Sequence, residues 1–196
     1  MTQALDIAAN RKAVKYTRRE QILRVCWWFG AWLIRLSLRP MFGWRRFVLR
    51  LFGARIGEHV RIYPSTKIYM PWNVSIGAWS ALGDDVFIYS LGRVSIGVRS
   101  TVSYRAHVCA GTHDFGDPRL PLLKPPVEIG SGVWIGTDAF IGPGVKVADN
   151  AIVGARAVVI KDVDESQVVG GNPARLIGMR TGSGILACGE EDRRNK

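Results

Sequence analysis

The sequence predicts an all-β protein: a parallel β-helix of about five coils behind a basic, aromatic arm with helical propensity. Three observations carry this. An aliphatic residue recurs at every sixth position, a small residue follows four places later, and the excess positive charge is confined to one end of the chain.

The aliphatic positions are Ile56, Ile62, Ile68, Ile76, Leu82, Ile88, Ile96, Val102, Val108, Ile129, Ile135, Ile141, Val147, Val153 and Val159. All 15 are Ile, Leu or Val, against 50 of 196 residues in the chain as a whole, so chance does not supply the pattern. The next residue is Gly in 8 of the 15 hexads, and the fifth is Val, Thr, Ser, Ala or Gly in 14, Trp72 being the exception. A period of six fits neither an amphipathic helix nor an alternating strand. It describes a short strand and a turn, with the aliphatic residue inward, the small residue near the corner and Gly allowing the turn. Three hexads return the chain to its starting face. Coils then stack at about 4.8 Å, so five rise about 24 Å.

Breaks in the period locate the additions. From 56 to 76 and from 76 to 96 the step is 20, a coil of 18 with two extra corner residues. From 129 to 147 it is 18, a clean coil, whereas from 96 to 129 it is 33. One coil therefore carries about 15 inserted residues after Val108, and loops added to a repeat scaffold tend to carry function. The β-helix domain is expected over 56–180, with this loop at 109–128.

The flanks differ from the body. Residues 1–55 hold 12 Lys+Arg against Asp6 and Glu20; residues 56–196 hold 15 against 14. Residues 1–17 are expected to be mobile. Helical propensity runs from Arg18 to Leu38, and Pro40 ends it. Residues 18–52, with Trp27, Trp28, Trp32 and Trp44, fit three readings: a cap over the first coil or a neighbouring subunit, peripheral contact with an anionic membrane surface through Trp and Arg, or contact with nucleic acid or another partner. No nucleic-acid motif accompanies the charge, so nucleic acid is not expected as partner. The apolar run Val25 to Ile34 has ten residues, where a spanning helix needs roughly 20. Cys26, Cys109 and Cys188 are too few and scattered for a disulfide framework or a metal site, which fits a reducing, cytoplasmic setting. Residues 181–196 read as a frayed tail.

Six segments carry a family resemblance: Phe42-Gly-Trp-Arg-Arg-Phe47, Leu51-Phe-Gly-Ala-Arg-Ile-Gly57, Tyr89-Ser-Leu-Gly92, Cys109-Ala-Gly-Thr-His-Asp114, Val133-Trp-Ile-Gly136 and Gly171-Asn-Pro-Ala174. With the hexads, they make the chain resemble the hexapeptide-repeat acetyltransferases, most nearly the O-acetyltransferases of the colanic-acid-biosynthesis type. The resemblance covers roughly residues 20–180. It implies a left-handed β-helix, a homotrimer with sites between subunits, acetyl-CoA as co-substrate, no metal, and a carbohydrate or lipid-linked sugar acceptor in exopolysaccharide or surface-polysaccharide synthesis.

Acetyl transfer to a hydroxyl needs a base, an oxyanion donor and a groove that aligns the reactants. A histidine is suited to the base because its ordinary pKa is about 6.5. The resemblance assigns that role to His113. Ser90 stands where relatives place a polar assistant, and Asp114 is the alternative orienting group. Trp134 is expected to line the site, and the backbone N–H of Thr137 to meet the oxyanion. Gly136, Gly154 and Ala155 match positions where the pantetheine arm approaches the backbone. Lys161 and Arg175 match basic positions near the CoA phosphates, with Arg180 a further candidate. Asp117 and Arg119 are expected to face acceptor hydroxyls.

Three rivals compete with this reading. Cys109 as a covalent nucleophile has no evident base beside it. A zinc hydratase on this fold needs three histidines meeting at one metal, whereas His107 and His113 are six apart and His59 lies in a distant coil. A non-catalytic β-helix scaffold would need neither the His-Asp loop nor the Val-Trp-Ile-Gly strand.

Overall fold

Each hexad folds into a strand of two or three residues, and three strands close a coil. The computed structural model describes residues 4–181 and 184–187. The first coil comprises β1 (Arg55–Ile56), β2 (Arg61–Ile62) and β3 (Lys67–Ile68), and the second β4 (Val74–Ile76), β5 (Ala81–Leu82) and β6 (Phe87–Tyr89). The third comprises β7 (Val94–Ile96), β8 (Thr101–Val102) and β9 (His107–Cys109). The inserted residues follow, folded as a hairpin of β10 (Thr112–His113) and β11 (Leu122–Leu123). The fourth coil holds β12 (Val127–Ile129), β13 (Trp134–Ile135) and β14 (Phe140–Ile141), and the fifth β15 (Lys146–Val147), β16 (Ile152–Val153) and β17 (Val158–Val159). A bridge at Val163 and strand β18 (Gln167–Gly170) begin a sixth.

Corresponding strands stack into three parallel sheets, the first from β1 to β15, the second from β2 to β18 and the third from β3 to β17. Val94 pairs with Val74 below and Val127 above, so the 33-residue step leaves the register of the stack untouched. All fifteen periodic aliphatics lie in the buried core. Burial of each such side chain is worth roughly 1.5–3 kcal/mol before chain entropy is counted against it.

The hexad glycines serve a purpose other than the expected turn. The left-handed backbone at the corners falls instead on His59, Trp79, Arg99 and Asn150, with φ of 56, 64, 56 and 60°. What Gly77 and Gly97 provide is close approach: a Cβ on either would stand 2.6 or 2.5 Å from the backbone of the next coil. Any side chain there would push adjacent coils apart.

The arm is helical and folded onto the stack. It contains α1 (Ile7–Lys12), α2 (Arg18–Arg35) and α3 (Phe42–Leu51). Helix α2 opens with a capping box between Thr17 and Glu20. Its inner face carries Trp27, Gly30 and Ile34. A Cβ on Gly30 would collide with the Phe52 ring at 2.6 Å, so glycine lets the segment after α3 pack under α2. The arm also closes the lower edge of the first coil. The second coil's carbonyls of Ile76 and Leu82 receive N–H groups from Gly57 and Tyr63 below, and those of Ser80 and Ile88 from Arg61 and Tyr69. One coil lower, the equivalent carbonyls of Ile56, Val60, Ile62 and Ile68 receive side-chain N–H groups from Arg50, Arg46, Arg45 and the Trp27 indole. Arg45, fully buried, also donates to Ser37 Oγ and the carbonyls of Leu38 and Arg39.

At the upper edge, β19 (Arg175–Thr181) pairs antiparallel with β18, and β20 (Gly184–Ala187) pairs with β19. The expected frayed tail is therefore strand over Gly184–Ala187, because β19 offers it an open edge; the rest of that expectation, residues 182–183 and 188–196, lies outside the described residues. Among the described residues no helix is long and apolar enough to cross a membrane.

Candidate active site

The hairpin that carries His113 leaves the stack between the third sheet and the first. Two glycines admit it. A Cβ on Gly92 would lie 2.5 Å from the Lys124 carbonyl, and one on Gly111 would lie 2.6 Å from Leu91. That accounts for Gly92 in the Tyr-Ser-Leu-Gly segment.

His113 is exposed at the end of β10. Its Nδ1 lies 2.7 Å from the Leu120 carbonyl oxygen. A carbonyl only accepts, so in the neutral ring Nδ1 carries the proton and Nε2 presents its lone pair. Leu120 is held for this at φ 47°, a left-handed conformation uncommon for leucine.

Neither expected assistant fills that role. Ser90 is fully buried, and its hydroxyl accepts from Met70 N–H and donates to the Met70 carbonyl, both at 2.9 Å. Strand alternation places it there: Ile88 points inward, Tyr89 outward and Ser90 inward again. Asp114 uses Oδ1 to accept Gly116 N–H at 2.9 Å, which shapes its own turn rather than the imidazole. The orienting group is the backbone of Leu120, for which residue type gives no signal.

Asp117 and Arg119 sit at the hairpin tip and pair with each other at 2.7 Å. Hydrogen bonds from Arg119, side chain first and backbone second, hold the Asp117 carboxyl down at about 2. The two therefore present a joined, ionised donor–acceptor unit to whatever meets the tip.

A second group gathers at the corner between the second and third sheets. Trp134 is half exposed on β13 and donates its indole N–H to Ser103 Oγ at 2.9 Å. A Cβ on Gly136 would lie 2.7 Å from Ala155 N and 2.8 Å from Gly154 C, so these residues stack one coil apart. The Thr137 carbonyl accepts Arg156 N–H at 2.8 Å across the same corner. Lys161 and Arg175 meet at the top, where they line one cleft with Ile160, Asp162, Gln167 and Leu176. Arg180 is not with them; it donates to the Gly132 carbonyl at 2.7 Å. Among the described residues no hydrogen bond joins the hairpin to Trp134, Gly136 or Thr137. The expected site residues thus form three clusters on one chain, apart from Ser90, which lies in the core, and Arg180, which binds the Gly132 carbonyl.

Cys109, His107 and His59 are held in other surroundings. Cys109 donates to the Gly111 carbonyl at 3.2 Å, and burial pushes its thiol up, away from the thiolate. His107 stacks on Phe87 and meets Phe140 edge-on, with its pKa lowered by burial. His59 stacks on Trp79.

A parallel β-helix that carries an oriented imidazole on an inserted hairpin and, apart from it, a glycine-lined corner and a basic cleft belongs to the group-transferring β-helices. The family model for the bacterial transferase hexapeptide (six repeats) matches residues 126–161. The putative colanic acid biosynthesis acetyltransferase WcaF of Escherichia coli (strain K12) is 41% identical over 152 residues, which is 77% of this chain and 84% of that protein. The chain belongs to the hexapeptide-repeat acetyltransferase family. Two solved structures share the fold. A maltose O-acetyltransferase from Clostridium difficile 630 gives a TM-score of 0.77 at 24% identity, covering 83% of this chain and 89% of that one. A hexapeptide-repeat acetyltransferase of Vibrio cholerae O1 biovar eltor, complexed with acetyl coenzyme A, gives 0.78 at 22% identity, covering 85% and 91%.

Proposed function

We propose that this chain moves an acetyl group from acetyl-CoA directly to a carbohydrate hydroxyl, with His113 as general base, in the synthesis of a surface polysaccharide. The observation that carries the reading is the 2.7 Å bond from His113 Nδ1 to the Leu120 carbonyl, which leaves Nε2 free to take a proton. As Nε2 removes the acceptor's proton, the hydroxyl oxygen bonds to the thioester carbonyl carbon. The C–S bond then breaks, and the CoA sulfur leaves with the proton that His113 holds. The Thr137 N–H serves the transient oxyanion. Trp134, Gly136, Gly154 and Ala155 line the pantetheine path, and Lys161 and Arg175 meet the CoA phosphates. The paired Asp117 and Arg119 offer one acceptor and one donor surface to sugar hydroxyls. This route runs on side chains and backbone groups alone, without a metal.

The separation of hairpin, corner and cleft on one chain supports a homotrimer, in which one subunit's His113 meets a neighbour's Trp134 corner. The relatives named above, a colanic acid acetyltransferase and a maltose O-acetyltransferase, support a sugar acceptor. The outer face of the arm supports a cytoplasmic enzyme held peripherally at the membrane, acting on a lipid-linked sugar. Val25 and Trp28 on α2, its C-cap Leu36, and Phe47 on α3 are all more than half exposed, among arginines. Flotation with anionic but not zwitterionic vesicles is the expected behaviour; indifference to both removes the membrane from the reading.

The direct test is thiol release from acetyl-CoA with a panel of hexosides and lipid-linked sugars, beside His113→Ala. Acceptor-dependent release should fall at least ~100-fold in the variant, with unchanged thermal stability. Undiminished release in His113→Ala would remove the base. A protein that neither binds nor consumes acetyl-CoA would leave the scaffold reading in its place.

A further inference from the structure

The carbonyl that orients His113 has a second donor, and it comes from the far end of the chain. Asn10, in α1, donates its side-chain N–H to the Leu120 carbonyl at 2.7 Å and to the Arg119 carbonyl at 2.7 Å. The orientation of its amide is fixed by chemistry. Both carbonyls only accept, and on the other side the Lys15 ammonium, a donor only, meets Asn10 Oδ1 at 2.7 Å. One carbonyl oxygen thus takes the His113 imidazole on one lone pair and the Asn10 amide on the other, across 110 residues of sequence.

Leu120 needs this support. Its left-handed φ of 47° is disfavoured for a leucine and persists where the surroundings over-determine it. Without Asn10, the Leu120 carbonyl has a weaker reason to point at the imidazole. The rest of the arm keeps α1 in reach. Asp6 N–H donates to the Pro118 carbonyl at 2.8 Å, Glu20 pairs with Lys124 at 3.7 Å, and Lys124 Nζ lies 5.3 Å from the Tyr16 ring. Over residues 4–17 the segment expected to be mobile is therefore a strap across the hairpin; residues 1–3 lie outside the described residues.

We propose that Asn10 is a positioning residue for His113, acting through the Leu120 carbonyl. The inference rests on His113 as the base. Asn10→Asp is the informative substitution. It keeps the size of the side chain and strengthens the tie to Lys15, so packing of α1 survives, yet it replaces the donor that both carbonyls require. Asp6→Ala is the control; it removes the α1 N-cap bond to Ala9 and leaves the Asn10 donor in place.

The readout is the ring tautomer of His113, from long-range nitrogen–proton correlation spectra of the labelled full-length protein at neutral pH, with the ring assigned by its loss in His113→Ala. The native ring should show the Nδ1–H form. Asn10→Asp should show a mixture of the two tautomers, and Asp6→Ala the native form. In turnover with acetyl-CoA and methyl β-galactoside, Asn10→Asp should lower kcat about tenfold and leave KM for acetyl-CoA unchanged. A single Nδ1–H tautomer in Asn10→Asp, or an equal mixture in Asp6→Ala, would overturn the proposal and leave the base standing. Full activity in His113→Ala would instead overturn the base, and the catalytic part of this inference with it.

Discussion

The two ends of the stack are closed by different means. At the lower end there is no preceding coil, and four side chains, Arg50, Arg46, Arg45 and Trp27, supply N–H groups to the carbonyls such a coil would have bonded. At the upper end the backbone does most of this itself: β18 takes β19 as an antiparallel neighbour, and β19 takes β20. A side-chain cap depends on residue identity, because each donor must reach one carbonyl. A backbone ribbon depends mainly on staying extended, since every residue carries the same donor and acceptor. Point substitutions should therefore be felt at the lower end and absorbed at the upper.

Arg45→Met is the strongest way to break that contrast. It leaves the buried carbonyl of Ile62 without a partner and removes the part-buried bonds to Leu38 and Arg39, and a loss of about 3 kcal/mol is expected. Thermal denaturation at fixed protomer concentration would show it. Trp27→Phe sharpens the comparison, since it keeps most of the apolar volume under the first coil and removes only the donor to Ile68. Denaturant midpoints should then report a loss of about 1–2 kcal/mol. The smallest effect belongs to the upper end, at Asp162, whose carboxylate accepts Lys146 N–H at 2.8 Å on the exposed surface. Asp162→Ala should cost about 0.5 kcal/mol. A loss there as large as that of Arg45→Met would make the ends equivalent and defeat the contrast.

The same contrast marks what could be read from the chain. The period of six located fifteen core aliphatics and the inserted loop, because inward burial is a property of single residues repeated. Capping was harder. Charge in the arm pointed toward an acidic partner, yet Arg45, Arg46 and Arg50 spend hydrogen bonds on carbonyls of their own chain; a count of cations cannot say which acceptor each will meet. At the site, His113 was legible as an imidazole in an inserted loop, while its orienting group was not, because a backbone carbonyl belongs to every residue. Asn10 escaped for a different reason. Its partners lie 109 and 110 residues away, and nothing local in an Asn among polar neighbours announces a long-range bond. Ser90 could have been excluded, since strand alternation from Ile88 already turns it inward.

The insertion after β9 has an evolutionary consequence. It enters and leaves the stack without altering the pairing of Val94 with Val127, and its closest steric demands fall on Gly92 and Gly111. The hairpin is thus nearly a cassette: its tip, with Phe115 almost fully exposed, can change residue by residue while the coils beneath it keep their fit. Under the proposed function, selection for a new acceptor and selection for a stable frame act on separate stretches of the gene, and a lineage can diversify its acceptor without renegotiating how it folds.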